Sequence, residues 1–321
     1  MIVSEISLGT MYHGSYISKN RSQKILRAAI DEGINFIDCA DRYGIYDSDL
    51  DIEKCTQAEI ILGEFLKQNK RDDLVISSKL WFQMRESVNS GGLNRKHIRE
   101  GIQKSLKHLQ TDYLDVYFCH RPDRATPLNE TIATMSTLVD EGLIHYWGTS
   151  WWPPYLIERT IGIAKELGYH TPSVEEPPYH MFGRFIEVEL FDIASHHGMG
   201  IAAFEALAGG FLTGKYLQDI PKGSRADVID SFRESVQSER IKKRNEKIKA
   251  LKDLAQSIDI PLSHLALAWV LRRPEISSTI MGASKPDQVV SNTAACDVSL
   301  DDDTLLRIEE ILDNKPTSLF K

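Results

Sequence analysis

Three short apolar runs end on residues that could move charge. INFIDCA (34–40) carries Asp38, LVISSKL (74–80) carries Lys79, and YLDVYFCH (113–120) closes on His120; Tyr43 follows Asp38 by five residues. A free phenol titrates near about 10, too high to exchange protons readily at neutral pH. A neighbouring ammonium favours the phenolate, and a carboxylate beside that ammonium keeps it charged and in place. Asp38, Lys79 and Tyr43 supply those parts, so Tyr43 is expected to have a lowered pKa and to act as a general acid or base. His120 could orient a carbonyl or share the proton. Such a set polarises a carbonyl as it becomes an alkoxide. It has no hydride of its own, so the reducing equivalent must come from a cofactor.

Convergence of these groups requires the runs to be strands whose ends meet. Eight strand signals run along the chain: SEISLGT, INFIDCA, LVISSKL, YLDVYFCH, LIHYWGTS, PSVEE, GIAAFEA and STIMGAS. Nearly all are separated by amphipathic helical patterns, and several of these stop at a glycine suited to a left-handed cap: Gly33, Gly142, Gly168 and Gly198. The pattern predicts one (β/α)8 TIM barrel across residues 1–321, with no linker or compositional break. In that fold the active site lies at the C-terminal strand ends. Those ends read Asp38, Lys79, His120, Ser150, Glu176, Phe204–Glu205 and Gly282–Ser284.

Composition narrows the function classes. The 321 residues are 42% hydrophobic and 26% charged, an ordinary globular balance. A formal charge of −8 argues against a nucleic-acid binder. Cys39, Cys55, Cys119 and Cys296 form no CxxC pair and have no metal-ligand spacing, so reduced thiols and no metal are expected. The N-terminus lacks the pattern of a secretory signal, and no apolar run approaches a membrane span, which points to a cytoplasmic protein.

The loops after strands seven and eight form the usual phosphate corner of this fold. There the chain offers GGFLTGKY with Lys215, GSRAD with Arg225, and GASKPDQVVSN with Gly282, Ser284, Lys285, Gln288 and Asn292. Gly282 leaves the backbone open to close approach, and Lys and Arg meet phosphate charge. No GxGxxG is present, so a Rossmann mode of dinucleotide binding is not supported.

GINFIDCADRY (33–43) resembles the GINxFDTAxxY motif of the aldo-keto reductases, and SSKL (77–80) their strand-three lysine motif. GLNRKHIREGIQKSLKHLQTDYLDVYFCHRPD (92–123) is similar throughout to the branch of that family containing the voltage-gated potassium channel β subunits and their bacterial relatives. So are YWGTSWW, PYHMFGR, GKY, SRA, ISSTIMGAS and LDNKP, and the likeness runs from about residue 4 to residue 316. It implies a catalytic tetrad of Asp38, Tyr43, Lys79 and His120. The channel β subunits have Asn where His120 stands, whereas His is usual in active reductases. It further implies that Ser150 and Glu176 hold a nicotinamide carboxamide, that Phe204 stacks on the ring, and that Leu207 and Lys215 line the pyrophosphate. Arg225, Ser284, Lys285, Gln288 and Asn292 would surround the adenosine phosphate, favouring NADP over NAD.

Departures from the family pattern shape the expected substrate. Glu176 replaces the family's Gln, and an ionised carboxylate accepts hydrogen bonds but cannot donate. Glu205 stands where Ser is usual, close to the expected pyrophosphate. The N-terminal hairpin that plugs the barrel floor is expected to be shortened, leaving a face for a homo-oligomer. Between Tyr43 and Leu62 lies an insertion of about ten residues with YDSDLDIEKC; it begins like a calcium loop but lacks the Gly and the final carboxylate, so it reads as a solvated acidic loop. With Glu175, Glu176 and Glu205 it would make an acidic mouth. The expected activity is NAD(P)H-dependent reduction of an aldehyde or ketone on a small polar, amine-bearing substrate, or the reverse oxidation, with neither nucleic acid nor membrane as partner. Two other readings stand beside it: an epimerase or dehydratase that retains its NADP, and a redox-sensing regulator like the channel β subunits.

Overall fold

The structure is a computed structural model that describes residues 1–44 and 55–319, apart from the side chain of Arg240. The acidic insertion, except Cys55, lies outside the described residues. Eight strands close in chain order into a barrel: β1 (Ile6–Gly9), β2 (Phe36–Asp38), β3 (Val75–Leu80), β4 (Leu114–Cys119), β5 (Ile144–Ser150), β6 (Val174–Glu176), β7 (Gly200–Phe204) and β8 (Ile276–Gly282). Every neighbouring pair is parallel, including β1 with β8 across the closure. The fold is therefore the expected (β/α)8 barrel.

The strand sequences read as near-continuous apolar runs because both faces are covered. Alternation sends one set of side chains into the lumen and the other towards the helices. Phe36, Val75, Val116, Phe118, Ala202 and Ile280 pack together inside the barrel, with Val3 and Val174 against them. Leu8, Ile37, Ile76, Tyr117, Trp147 and many others join the helices in a separate outer core. The lumen is filled to the point where Gly148 is obligatory: a Cβ there would meet the Val174 carbonyl oxygen at 2.6 Å and the Phe118 ring at 2.7 Å. Residues 1–5 form no strand, and Val3 packs on the lumen cluster.

Nine helices were legible as amphipathic runs. They are α1 (Lys19–Asp31), α2 (Gln57–Leu66), α3 (Arg95–Leu109), α4 (Leu128–Asp140), α5 (Pro154–Leu167), α6 (Leu190–His197), α9 (Glu239–Ser257), α10 (Leu262–Leu271) and α11 (Pro286–Thr293). Helix α3 shows the local logic. Asn94 caps it by accepting from the His97 N–H, its buried face recurs at Ile98, Ile102, Leu106 and Leu109, and Gln110 ends it in a left-handed conformation. The four glycines expected as caps all have positive φ, between 65° and 80°. Three helices escaped the sequence reading: the short α7 (Arg225–Val228) and α8 (Asp230–Gln237) in what looked like a loop, and α12 (Asp302–Leu312), capped by Asp301. No single described helix is long and apolar enough to cross a membrane.

Candidate active site

Period-two alternation in VISSKL decides where Lys79 goes. Ser78 points outward, donating to Glu59 of α2 at 2.6 Å, while Ser77 and Lys79 point into the lumen. The Lys79 ammonium is fully buried and has three donors. They reach Asp38 Oδ1 at 2.5 Å, the Cys39 carbonyl at 2.9 Å and Tyr43 Oη at 3.2 Å. Ser77 Oγ also donates to Asp38 Oδ1, at 2.6 Å. Tyr43 is brought back over the strand end by a tight turn: Asp41 N–H donates to the Lys79 carbonyl, and Tyr43 N–H to that of Ala40. His120 follows β4 with its ring edge-on to Tyr43 at 6.0 Å and to Phe82 at 5.1 Å. The four side chains expected to converge do so.

Their protonation differs from the expectation in one respect. Burial raises the Tyr43 phenol, and the Asp38 and Glu176 carboxylates add to that; Lys79 opposes them but does not prevail. Tyr43 is thus held as the acid instead of being tuned down. The cation beside the phenol is legible in the sequence, whereas the desolvation that outweighs it is not. Burial also works against the Lys79 ammonium, but Asp38, Glu176 and Tyr43 outweigh it, so its pKa rises. Burial, then Lys79, Arg121 and Arg42, hold His120 well below the ordinary imidazole range, so its ring is neutral at pH 7. Burial pushes up the thiols of Cys39 and Cys119 as well, which fits inert packing rather than a nucleophile.

The adjacent glutamates of β6 face opposite ways. Glu176 points into the lumen, with Oε2 at 3.4 Å from Lys79 Nζ and no hydrogen-bond partner for that oxygen. Burial and the nearby Asp38 charge push its carboxyl well above the usual range, against the pull of Lys79. A neutral carboxylic acid has one donor and one acceptor, as an amide side chain does. Glu175 points outward under the β5–α5 turn, where it accepts from Trp152 N–H at 3.0 Å and from Thr149 Oγ1. Burial pushes its carboxyl up to about 7 against those bonds. Glu175 is therefore no part of a mouth. Glu205, at φ 63°, does line the cleft, near enough to Arg225 and Arg121 to feel both charges.

A cleft of about 980 Å³ runs from Tyr43 and His120 past Ser150, Glu176, Phe204 and Leu207 to Lys215, Arg225, Gly282, Ser284, Gln288 and Asn292. Ser150 Oγ donates to the Glu176 carbonyl at 3.1 Å, and Phe204 meets Trp151 edge-on at 6.3 Å. Arg225 lies between the rings of Tyr12 (5.1 Å) and Phe232 (4.3 Å), and its Nε is buried without a hydrogen bond. Gln288 Oε1 accepts from Ser284 N–H at 2.7 Å, and Asn292 Nδ2 contacts Met281 Sδ at 3.2 Å. Lys285 is exposed at the start of α11 and does not line the cleft. The Glu176 carboxyl in the lumen, the Arg225 Nε without a hydrogen bond, the aromatic wall and the cations at the far end suit a nicotinamide dinucleotide. Arg42, Arg121 and Trp151 also line the cleft and were not singled out from sequence. Their signal was adjacency, since each follows Asp41, His120 or Ser150 directly in the chain.

The sequence profile of the aldo/keto reductase family matches residues 5–313. Two relatives, each described as a probable voltage-gated potassium channel subunit beta, come from Oryza sativa subsp. japonica and Arabidopsis thaliana. Each is 36% identical over 321 aligned residues, covering 98% of this chain and 94% of the relative. A closed parallel barrel, four converging polar side chains at its C-terminal rim and a match over nearly the full length lead to one conclusion: the chain belongs to the aldo/keto reductase family of oxidoreductases.

Proposed function

We propose that the protein reduces an aldehyde or ketone to an alcohol with NADPH, Tyr43 giving the proton. The observation that carries this reading is the Lys79 ammonium bridging Asp38 Oδ1 and Tyr43 Oη within the barrel rim. A bound nicotinamide supplies the hydride to the carbonyl carbon. Tyr43, kept protonated by burial, donates to the carbonyl oxygen as it gains charge. Lys79 then stabilises the phenolate left behind, and Asp38 holds Lys79 in place. Neutral His120 offers a ring N–H to the same oxygen. Ser150 and Glu176 are assigned to the carboxamide, Phe204 to the ring face, Leu207 and Lys215 to the pyrophosphate. Arg225, Ser284, Gln288 and Asn292, with Gly282 open beside them, are assigned to the adenosine phosphate; Lys285 would have to swing in from solvent.

Preference for NADP rests on Arg225 and the polar groups of the β8–α11 turn. Three buried thiols and one exposed thiol suit a reducing cytoplasm. The relatives' printed names suggest a channel-associated regulator, but the presence of an imidazole at position 120, beside the phenol, favours turnover. Mass spectrometry of the purified protein for bound nucleotide, followed by NADPH consumption across a carbonyl panel with Tyr43→Phe as control, tests the proposal. Multiple turnovers lost in the variant support it. Binding without turnover would favour a regulator, and conversion without net NADPH loss a cofactor-retaining enzyme.

A further inference from the structure

Of the acidic mouth expected from sequence, Glu176 and Glu205 line the cleft, Glu175 does not, and the insertion lies outside the described residues but for Cys55. The reacting end of the cleft also carries two guanidinium groups. Arg42 follows Asp41 in the turn that delivers Tyr43, and Arg121 follows His120, so each is the chain neighbour of a proton-handling residue. Both are half-buried and both line the cleft with Tyr43 and His120. The Arg42 guanidinium lies 4.0 Å over the Phe82 ring, and Phe82 in turn abuts His120. Arg121 lies 5.1 Å from the Trp151 ring and donates through Nη1 to the His120 carbonyl at 2.5 Å and to Ser150 Oγ at 3.5 Å.

Neither cation has a carboxylate partner within ion-pair distance among the described residues. The Arg42 guanidinium makes no hydrogen bond there, and Nε and Nη2 of Arg121 make none. The nearest candidates for countercharge are poor ones. Asp41 is buried, and desolvation together with Glu59 pushes its carboxyl well above the usual range. Among the described residues, Glu176 and Glu175 act on Arg121 from a distance, with burial raising both carboxyls, and Glu205 acts more strongly on Arg225 than on Arg121. Arg42 and Arg121 meanwhile oppose each other and both bear on His120. Two partly desolvated like charges at one mouth are unfavourable unless an anion joins them. A planar guanidinium stacked on an aromatic face keeps its N–H edge free for the bidentate contact that carboxylates and phosphates accept. The cofactor's own phosphates are assigned to Lys215 and Arg225 at the far end, so this pair is left for the other ligand.

We propose that Arg42 and Arg121 form an anion subsite, and that the preferred substrate carries a carboxylate or phosphate close to its carbonyl. The inference rests on the reduction reading above and stands against the amine-bearing substrate expected from sequence.

The test compares kcat/KM with NADPH for two matched pairs: 4-carboxybenzaldehyde against its methyl ester, and glycolaldehyde phosphate against glycolaldehyde. The anionic member of at least one pair should be favoured by about tenfold or more at low salt, with a smaller gap at 0.5 M salt. Which pair shows the gap identifies the anion. Arg42→Gln should collapse the ratio towards one, and Arg42→Lys should retain part of it. Equal or better use of the neutral members in both pairs overturns the subsite, as does an unchanged ratio in Arg42→Gln. If no carbonyl consumes NADPH, the reduction reading fails by itself. The subsite is then read from quenching of tryptophan fluorescence by 4-(hydroxymethyl)benzoate: binding weakened in Arg42→Gln supports it, and no binding overturns it.

Discussion

The Lys79 ammonium donates to the Tyr43 phenol oxygen at 3.2 Å from a position with no solvent exposure. Tyr43→Phe keeps the ring and its packing while removing the O–H. We expect kcat for carbonyl reduction to fall by about 100-fold or more, with stability changed by no more than about 1.5 kcal/mol. Steady-state rates and thermal melting check the two parts. Because burial raises the phenol, wild-type kcat should also show no loss from Tyr43 ionisation between about pH 6 and 9. A descending limb in that range that disappears in a Tyr43 variant would contradict the assignment.

Removing the cation should cost more stability than removing the phenol. Lys79→Met leaves Asp38 and Glu176 buried without it, and the expected loss is about 3–5 kcal/mol. Lys79→Met with Asp38→Asn should recover part of that loss, which urea denaturation of the single and double variants measures. The folded pKa of Lys79 lies above its unfolded value near about 10.4, so its contribution is complete below that pH and is lost only in stronger alkali. The penalty in Lys79→Met should therefore be nearly constant from about pH 6 to 9.

Glu175 should give the protein a pH-dependent stability of the opposite kind to most carboxylates. Its folded pKa is about 7, above the unfolded value of about 4.3. Below about pH 4 both states are protonated; as pH rises to 7 the unfolded state ionises first, and stability falls by about 3–4 kcal/mol. Glu175→Gln removes that titration. Its stability between pH 5 and 8 should be the flatter of the two, with the variant the more stable protein at pH 8, as read from denaturant midpoints.

Glu176 should behave as an amide would. If its carboxyl is protonated in the lumen, Glu176→Gln keeps one donor and one acceptor at the same place. NADPH affinity by fluorescence titration should then stay within about threefold at pH 7, whereas Glu176→Ala should weaken it by about tenfold, the worth of roughly one good hydrogen bond. Large weakening by the glutamine would show that a carboxylate is needed.

The barrel and the four converging residues were legible because both depend on local sequence signals. Strand runs alternating with helical ones fix the architecture, and Asp38, Lys79 and His120 interrupt apolar runs where nothing else would place a charge. What stayed hidden depends on burial and side-chain direction. Glu175 and Glu176 look equivalent in PSVEE, yet pairing of Ser150 with Glu176 turns one inward and the other outward. Arg42 and Arg121 look like ordinary surface cations until Phe82 and Trp151 are seen to hold them over the cleft. The lowered phenol was expected because one cation could be read from the chain, whereas the depth of its surroundings could not. Helix α7 is hidden because its four residues are too few for periodicity to stand out.

With only three residues, β6 assigns its two acids to separate surroundings purely by parity, one to the lumen beside Lys79 and one to propping up a turn. Inserting or deleting a single amino acid there would exchange them at a stroke. That short segment should accordingly tolerate swaps of residue type far better than any change in its length.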